Sequence, residues 1–123
     1  MLRFADPHET YRRVELDARV AGSGGRDLVD LCLREVDAAL GQALWAQDND
    51  RADLRRRALV RAQNGLGALR LGVDPKSALG PTLLTFYDGL MQGVVGCQVR
   101  FDAGRVQQVR GDLAEVGRAM LGS

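Results

Sequence analysis

Apolar residues recur every three or four positions along most of this chain, which is the spacing of one face of an α-helix. The clearest example is the run 61–74, where Ala62, Leu66 and Leu69 share a face. This run ends at a Gly-Val-Asp-Pro sequence, because proline cannot continue a helix and restricts the residue before it. A second apolar face then begins with Leu83, Phe86, Tyr87 and Leu90.

The same periodicity predicts four long helices, over residues 26–47, 51–71 and 81–100 and from Asp102 onward. Asp102 is expected to cap the last helix and Asp50 the second, because a carboxylate can accept hydrogen bonds from the first backbone N–H groups. The connections are short, so consecutive helices are expected to be antiparallel neighbours.

The last helix has the most regular apolar seam, since its inward positions alternate by three and four residues. These positions are Val106, Val109, Leu113, Val116 and Met120. Such a seam is typical of helices that cross at about 20° in antiparallel bundles.

A shorter helix is predicted at the N-terminus, with Asp6 as its N-cap, Pro7 at its first position and Glu9 completing a capping box. The predicted fold class is therefore all-α: an antiparallel up-down four-helix bundle with a short N-terminal helix. The chain is expected to form a single helical-bundle domain over residues 1–123, with segment 1–25 as its most mobile part.

Composition excludes several classes of partner. The net charge is +1, so the chain as a whole offers no basic field for nucleic acid. No run approaches the roughly 20 apolar residues of a membrane span, and the N-terminus lacks the apolar core of a secretory signal. We therefore expect a protein without a secretory signal that does not insert into membranes; the cytoplasmic location is an expectation from the family resemblance given below.

Few side chains offer catalytic or metal-binding chemistry. His8 is the only histidine, so a metal site or a nucleophile–histidine pair would depend on a residue near the chain terminus. Cys32 and Cys97 fall on apolar faces and are expected to be reduced core thiols. The sequence therefore predicts no catalytic residues, no metal site and no cofactor.

The basic run in the second helix, Arg55–Arg57 with Arg61, is the main candidate for phosphate binding. No aromatic residue is interleaved with it, and Asp48, Asp50 and Asp53 lie nearby in the sequence. A solvated helix face is therefore the favoured interpretation.

Glycines inside the predicted helices are unusually frequent. Each costs about 0.8–1 kcal/mol relative to alanine in an exposed helix interior. Either packing compensates, or the free protein is marginally stable and gains stability on binding. Gly89, Gly93 and Gly96 are spaced to form a shallow stripe on the third helix, for which a helix–helix contact and a ligand groove are both open interpretations.

Three segments resemble the FliS family of flagellar export chaperones. YRRV at 11–14 resembles the tyrosine-led N-terminal segment of that family, and RAQNGLGAL at 61–69 with Val73-Asp74 resembles the end of one of its helices. FYDGL at 86–90 resembles its "LYDYM" sequence. Val94, Cys97, Gln98 and Asp102 then follow at the family's spacing.

The departures from the family pattern identify a divergent member or a paralogue. Ser23-Gly24-Gly25 stands where the family has a Ser-Pro pair, and Gly89 replaces the second tyrosine of "LYDYM". Cys97-Gln98 replaces an Ala-Asn pair.

The resemblance implies a non-enzymatic chaperone that binds the disordered C-terminal segment of flagellin in the cytoplasm. Binding would prevent premature polymerisation before export, with the flagellar export gate as a further partner. Helix-in-groove recognition and coupled folding need an apolar helical surface and no catalytic group. The predicted partner-binding residues are Tyr11, Leu66, Leu69, Leu83, Phe86, Tyr87 and Leu90, and the resemblance makes Tyr11 a gate for the client site.

Two alternatives remain open from the sequence. One is a helical-bundle interaction or regulatory protein with a different helical client. The other is an all-helical enzyme of the chorismate-mutase type, which needs arginines directed into the bundle to clamp a dicarboxylate. The second is disfavoured, because Arg34, Arg55 and Arg61 fall on or near polar faces.

Overall fold

The computed structural model describes residues 25–121, and these residues form four α-helices with no strand among them. The helices are α1 (Gly25–Asp48), α2 (Ala52–Leu71), α3 (Gly80–Val99) and α4 (Ala103–Leu121). This confirms the all-α class, and each predicted boundary is within one residue of the observed one. The predicted N-terminal helix and Tyr11 lie outside the described residues.

The four helices contact one another in a ring. Close backbone approaches join α1 to α2, α2 to α3, α3 to α4 and α4 back to α1, and none joins the two diagonal pairs of these helices. The α1–α2 contact is the most extensive, whereas the α3–α4 contact is the least. The bundle is therefore tight on one side and looser on the opposite side.

A glycine explains the tight side. A Cβ atom at Gly65 on α2 would lie 2.5 Å from Cγ2 of Val36 on α1, which is closer than carbon atoms can approach. The absence of a side chain at Gly65 therefore lets the two helices pack closely along this seam.

The core fills the space enclosed by all four helices. Its largest fully buried side chains come from every helix and are Tyr87, Leu40, Leu59, Leu66, Val36, Val94 and Val106. Cys32 and Cys97 are buried and free, as predicted. Burial, with a smaller contribution from the negative charge of Glu35, raises the pKa of the Cys32 thiol to about 12.

Helix ends were predicted with mixed success. Asp102 caps α4 as expected, because its Oδ1 accepts the backbone N–H of Arg105 at 3.2 Å. The expected Asp50 cap of α2 is wrong: Arg51 occupies the N-cap without a side-chain hydrogen bond. Asp50 instead adopts a left-handed backbone conformation with φ of 55° and forms the turn between α1 and α2.

The basic run of α2 is tied down by neighbouring side chains. Arg61 donates hydrogen bonds to Glu35 Oε1 at 2.9 Å and Gln42 Oε1 at 2.8 Å on α1. Arg55 lies over the ring of Phe101, 5.3 Å from its centroid. These two arginines therefore contact other parts of the protein, so the predicted solvated face is limited to Arg56 and Arg57, which are exposed.

The described residues contain neither a membrane-spanning helix nor a metal-binding cluster. None of their helices is long and apolar enough to cross a membrane. No group of three or more His, Cys, Asp and Glu side chains within 25–121 is arranged to hold a metal ion.

Candidate partner-binding groove

The predicted partner-binding residues divide into buried and partly buried groups. Leu66, Leu69, Tyr87 and Leu90 are core residues, each no more than 5% exposed. A client can therefore contact little of these side chains, and their contribution would be to support the surface from beneath. Leu83 and Phe86 are partly buried and pack against the core.

Phe86 and Tyr87 are adjacent in sequence but point to different parts of the molecule. The Tyr87 hydroxyl donates to Sδ of Met120 on α4 at 3.8 Å, so Tyr87 joins α3 to α4 from inside. Burial, followed by the proximity of Cys32, raises the pKa of the Tyr87 hydroxyl. The Phe86 ring packs against Tyr87 with ring centroids 5.8 Å apart and lies at the surface of α3.

An open groove of about 250 Å³ runs between α3 and α4. The α3 wall and the α4 wall each contribute four residues. They are Thr85, Phe86, Gly89 and Leu90 from α3, and Arg105, Gln108, Val109 and Asp112 from α4. We call this the α3–α4 groove. It includes Phe86 and Leu90 from the predicted set, whereas Leu66, Leu69, Leu83 and Tyr87 do not line it.

Two glycines shape the α3–α4 groove in opposite ways. No atom lies within 4 Å of the position that a Cβ at Gly89 would occupy, so this residue leaves open space at the wall. A Cβ at Gly93 would instead lie 2.9 Å from Nε of Arg105 and 3.3 Å from Cγ2 of Val109. Gly93 therefore allows α4 side chains to lie directly against the α3 backbone.

The predicted glycine stripe therefore has two parts. Gly93 is a helix–helix contact, whereas Gly89 and Gly96 face open space, with nothing within 4 Å of an added Cβ. The helix–helix interpretation is therefore confirmed for Gly93 alone, and the ligand-groove interpretation stays a prediction.

The charges of the groove are unpaired within the described residues. Neither Arg105 nor Asp112 forms an ion pair with another described residue, and the Arg105 guanidinium donates a hydrogen bond to the Gln108 amide oxygen at 3.4 Å. Arg110 on the same helix differs, because it binds both carboxylate oxygens of Asp37 on α1, at 2.9 and 3.2 Å.

The one charged side chain of α3 forms an ion pair with α2. Asp88 is the one charged residue of α3, and its carboxylate accepts a hydrogen bond from Arg70 Nε at 2.7 Å. This hydrogen bond, together with the charge of Asp88, raises the pKa of Arg70. Val99, at the last position of α3, is 87% exposed.

Sequence reasoning missed the whole α4 wall of the groove. The apolar seam of the fourth helix predicts which residues face the core. It does not predict a role for the polar residues beside the seam, Arg105, Gln108 and Asp112. A signal was present: Arg105 and Asp112 are seven residues apart with Val109 between them, which places all three near one face of a helix.

Comparison with known proteins adds no relationship. The chain matches no protein-family model, and no curated protein shows significant sequence similarity to it.

Proposed function

We propose that this protein is a FliS-like export chaperone that binds the C-terminal segment of flagellin in the cytoplasm and prevents its premature polymerisation. The observation that carries the proposal is the open α3–α4 groove, because Phe86 and Leu90 of the FliS-like segment FYDGL lie in its apolar wall. An apolar groove between two helices is the surface that an amphipathic helix requires.

The proposed architecture is an antiparallel up-down bundle, and contacts between successive helices support it. Gln63 near the middle of α2 meets Gln98 near the end of α3, whereas Arg70 at the end of α2 meets Asp88 in the first half of α3. Opposite numbering trends of this kind are expected for antiparallel neighbours.

The other helix pairs follow the same trend. Between α1 and α2, Arg61 meets Gln42 and Gly65 meets Val36. Between α1 and α4, Gly41 lies near Arg110 and Gly117 near Leu33. Between α3 and α4, the equivalent pairs are Gly93 with Arg105 and Tyr87 with Met120.

The other proposed features concern the N-terminal segment and the export machinery. Tyr11 is proposed to gate the client site and the export gate to receive the loaded complex, both on the basis of the FliS resemblance. A helical client other than flagellin is the second candidate. Gly89 favours it, because the missing side chain leaves a wider groove than a tyrosine at this position would.

The enzymatic alternative has less support. A dicarboxylate clamp needs arginines with free guanidinium groups, but Arg61 already binds Glu35 and Arg70 already binds Asp88. Arg105 has no ion-pair partner within 25–121, yet it lies at an open groove rather than inside the bundle.

The test is a binding experiment with a fluorescently labelled peptide of the flagellin C-terminal segment, followed by anisotropy. Phe86→Asp places a charge in the apolar wall and is expected to weaken binding at least about tenfold, the scale of an interface hot spot. Val60→Asp is the matched control, since Val60 is 43% exposed on α2 and does not line the groove.

Folding of both variants is checked by circular dichroism. Absence of binding by the unmodified protein would refute the flagellin assignment. Equal loss in both variants would show that the peptide does not use the α3–α4 groove. Leu90→Asp is a poorer test, because Leu90 is 5% exposed and a buried carboxylate would unfold the bundle.

A further inference from the structure

The two charged side chains of the α3–α4 groove come from the same helix and lie at a fixed spacing along it. Arg105 and Asp112 are seven residues apart on α4, which corresponds to two helical turns or about 10.5 Å at 1.5 Å per residue. Val109 lies between them and joins Phe86 and Leu90 in the apolar part of the groove. The groove therefore presents a positive end, an apolar middle and a negative end.

Arg105 lies close to the backbone of α3. Its Nε would be 2.9 Å from a Cβ at position 93, so the absence of a side chain at Gly93 gives the guanidinium room against α3. Gln108 contacts the same guanidinium at 3.4 Å. The positive end of the groove thus lies beside Gly93, and no carboxylate of the described residues forms an ion pair with it.

The shape and charge of the groove restrict its occupant. A volume of about 250 Å³ is below the roughly 300–1,000 Å³ of small-molecule sites, so it suits side chains of a peptide. Nucleic acids and anionic membranes require a surface of one sign, whereas this groove carries one charge of each sign. A helix that carries its own pair of opposite charges satisfies both ends.

We propose that the α3–α4 groove selects and orients a helical client by charge, with an acidic client residue at Arg105, a basic one two turns away at Asp112, and an apolar anchor over Gly89 between them. This inference rests on the proposed client-binding function and adds the chemistry of the client helix. Complementary charges would fix the direction of the client and disfavour helices with like charges at both positions.

The experiment uses the full chain and four synthetic helical peptides with the same apolar anchors. The two test positions, seven residues apart, are Glu and Lys, Glu and Glu, Lys and Lys, or Gln and Gln. The Glu–Lys peptide is expected to bind about two- to fivefold more tightly than the Gln–Gln peptide, the range of a partly exposed ion pair. The difference should shrink as salt is raised.

Variants of the protein test which of its residues cause the charge preference. Arg105→Glu is expected to reverse the ranking, so that the Lys–Lys peptide binds more tightly than the Glu–Lys peptide. Arg56→Glu is the matched control, since Arg56 is exposed on α2, lies outside the groove and gives the same change in net charge. Gly93→Ala displaces Arg105 without removing it and should weaken the preference for Glu.

Gly89→Leu fills the groove and should reduce binding of all four peptides. Equal affinity for the four peptides would overturn the inference, as would a reversed ranking in Arg56→Glu or failure of every peptide to bind. Binding of the flagellin segment is measured separately. If that segment fails to bind while the Glu–Lys preference holds, the flagellin assignment is lost and the charge-selective groove stands.

Discussion

The α1–α2 seam and the α3–α4 groove lie on opposite sides of the same ring of helices and use glycine in opposite ways. At the seam, Gly65 has Val36 in the space of its missing Cβ, so two helices come together. At the groove, Gly89 has nothing within 4 Å of that position, so space remains between the helices. A glycine lowers helix stability by a similar amount at both sites. Only at the seam does closer packing of two helices offset that loss.

The two sides also differ in whether their arginine has an acidic partner. Arg61 spans the seam and is satisfied by Glu35 and Gln42 of the opposite helix. Arg105 lies at the groove and has no acidic partner among residues 25–121. The comparison indicates that the seam stabilises the fold, whereas the groove keeps open space and a charge without an acidic partner among these residues.

The largest expected effect breaks the seam. Gly65→Leu adds side-chain atoms where even a Cβ would lie 2.5 Å from Val36 Cγ2. Overpacking of this kind should lower the free energy of unfolding by about 3 kcal/mol or prevent folding. Urea titration measures the change, with Gly89→Leu as the control, because the same substitution there meets open space. Similar losses in both variants would contradict the distinction between the two sides.

The next effect tests how well the core excludes water from the buried Cys32 thiol. Below pH 9 the Cys32 thiol is protonated in both states. Above pH 9 the unfolded chain releases this proton, whereas the folded protein keeps it until about pH 12. Stability should therefore fall by about 1.4 kcal/mol per pH unit in this alkaline window.

Urea midpoints from pH 8 to pH 11 measure this slope. Cys32→Ala removes the ionisable group, so its stability should depend less steeply on pH even though the cavity lowers its absolute stability. An identical slope in the variant would show that Cys32 is not responsible. Tyr87 contributes in the same sense at higher pH, because burial also raises its pKa above 10.0.

The smallest expected effect comes from a substitution at the α3–α4 groove. Gly89→Ala removes a helical glycine without creating a contact, so it should raise the free energy of unfolding by about 0.8–1 kcal/mol. Gly111→Ala is a matched control on α4, since nothing lies within 4 Å of its added Cβ either. Thermal melts should show similar gains for both variants. Destabilisation by Gly89→Ala alone would mean that the groove wall is packed after all.

Much of the fold was predictable because local signals agree with the tertiary structure. Pro75 ends the apolar run 61–74, Pro81 lies in the first turn of α3, and Asp102 caps α4. Asp50 failed as a cap because the tight connection after Asp48 requires a residue in the left-handed region, which aspartate tolerates better than most residues. The geometry of the turn outweighed the capping preference.

The site was less predictable for a physical reason. Periodicity identifies which residues are apolar on one face, and a bundle core uses those residues first, so Leu66, Leu69, Tyr87 and Leu90 are buried. Phe86 remains as the predicted residue that both lines the groove and reaches the surface. The groove itself is defined by a missing side chain and by unpaired charges, and neither produces an apolar pattern.

The glycines inside the helices also fall into two groups, those in contact with a neighbouring helix and those facing open space. Gly65, Gly93 and Gly117 lie against side chains of neighbouring helices, so packing offsets part of their cost. Gly89, Gly96 and Gly111 face open space and receive no such compensation from the described residues. Sequence alone could count these glycines but could not assign them to the two groups.

The contact between Gly65 and Val36 has a consequence for how this protein can evolve. The two positions share one volume, since the Val36 methyl group occupies the place of the absent side chain at residue 65. A chain with the same seam can acquire a side chain at 65 only after position 36 becomes smaller. Homologous chains should therefore show covariation between these positions, with alanine or glycine at 36 wherever 65 is larger than glycine.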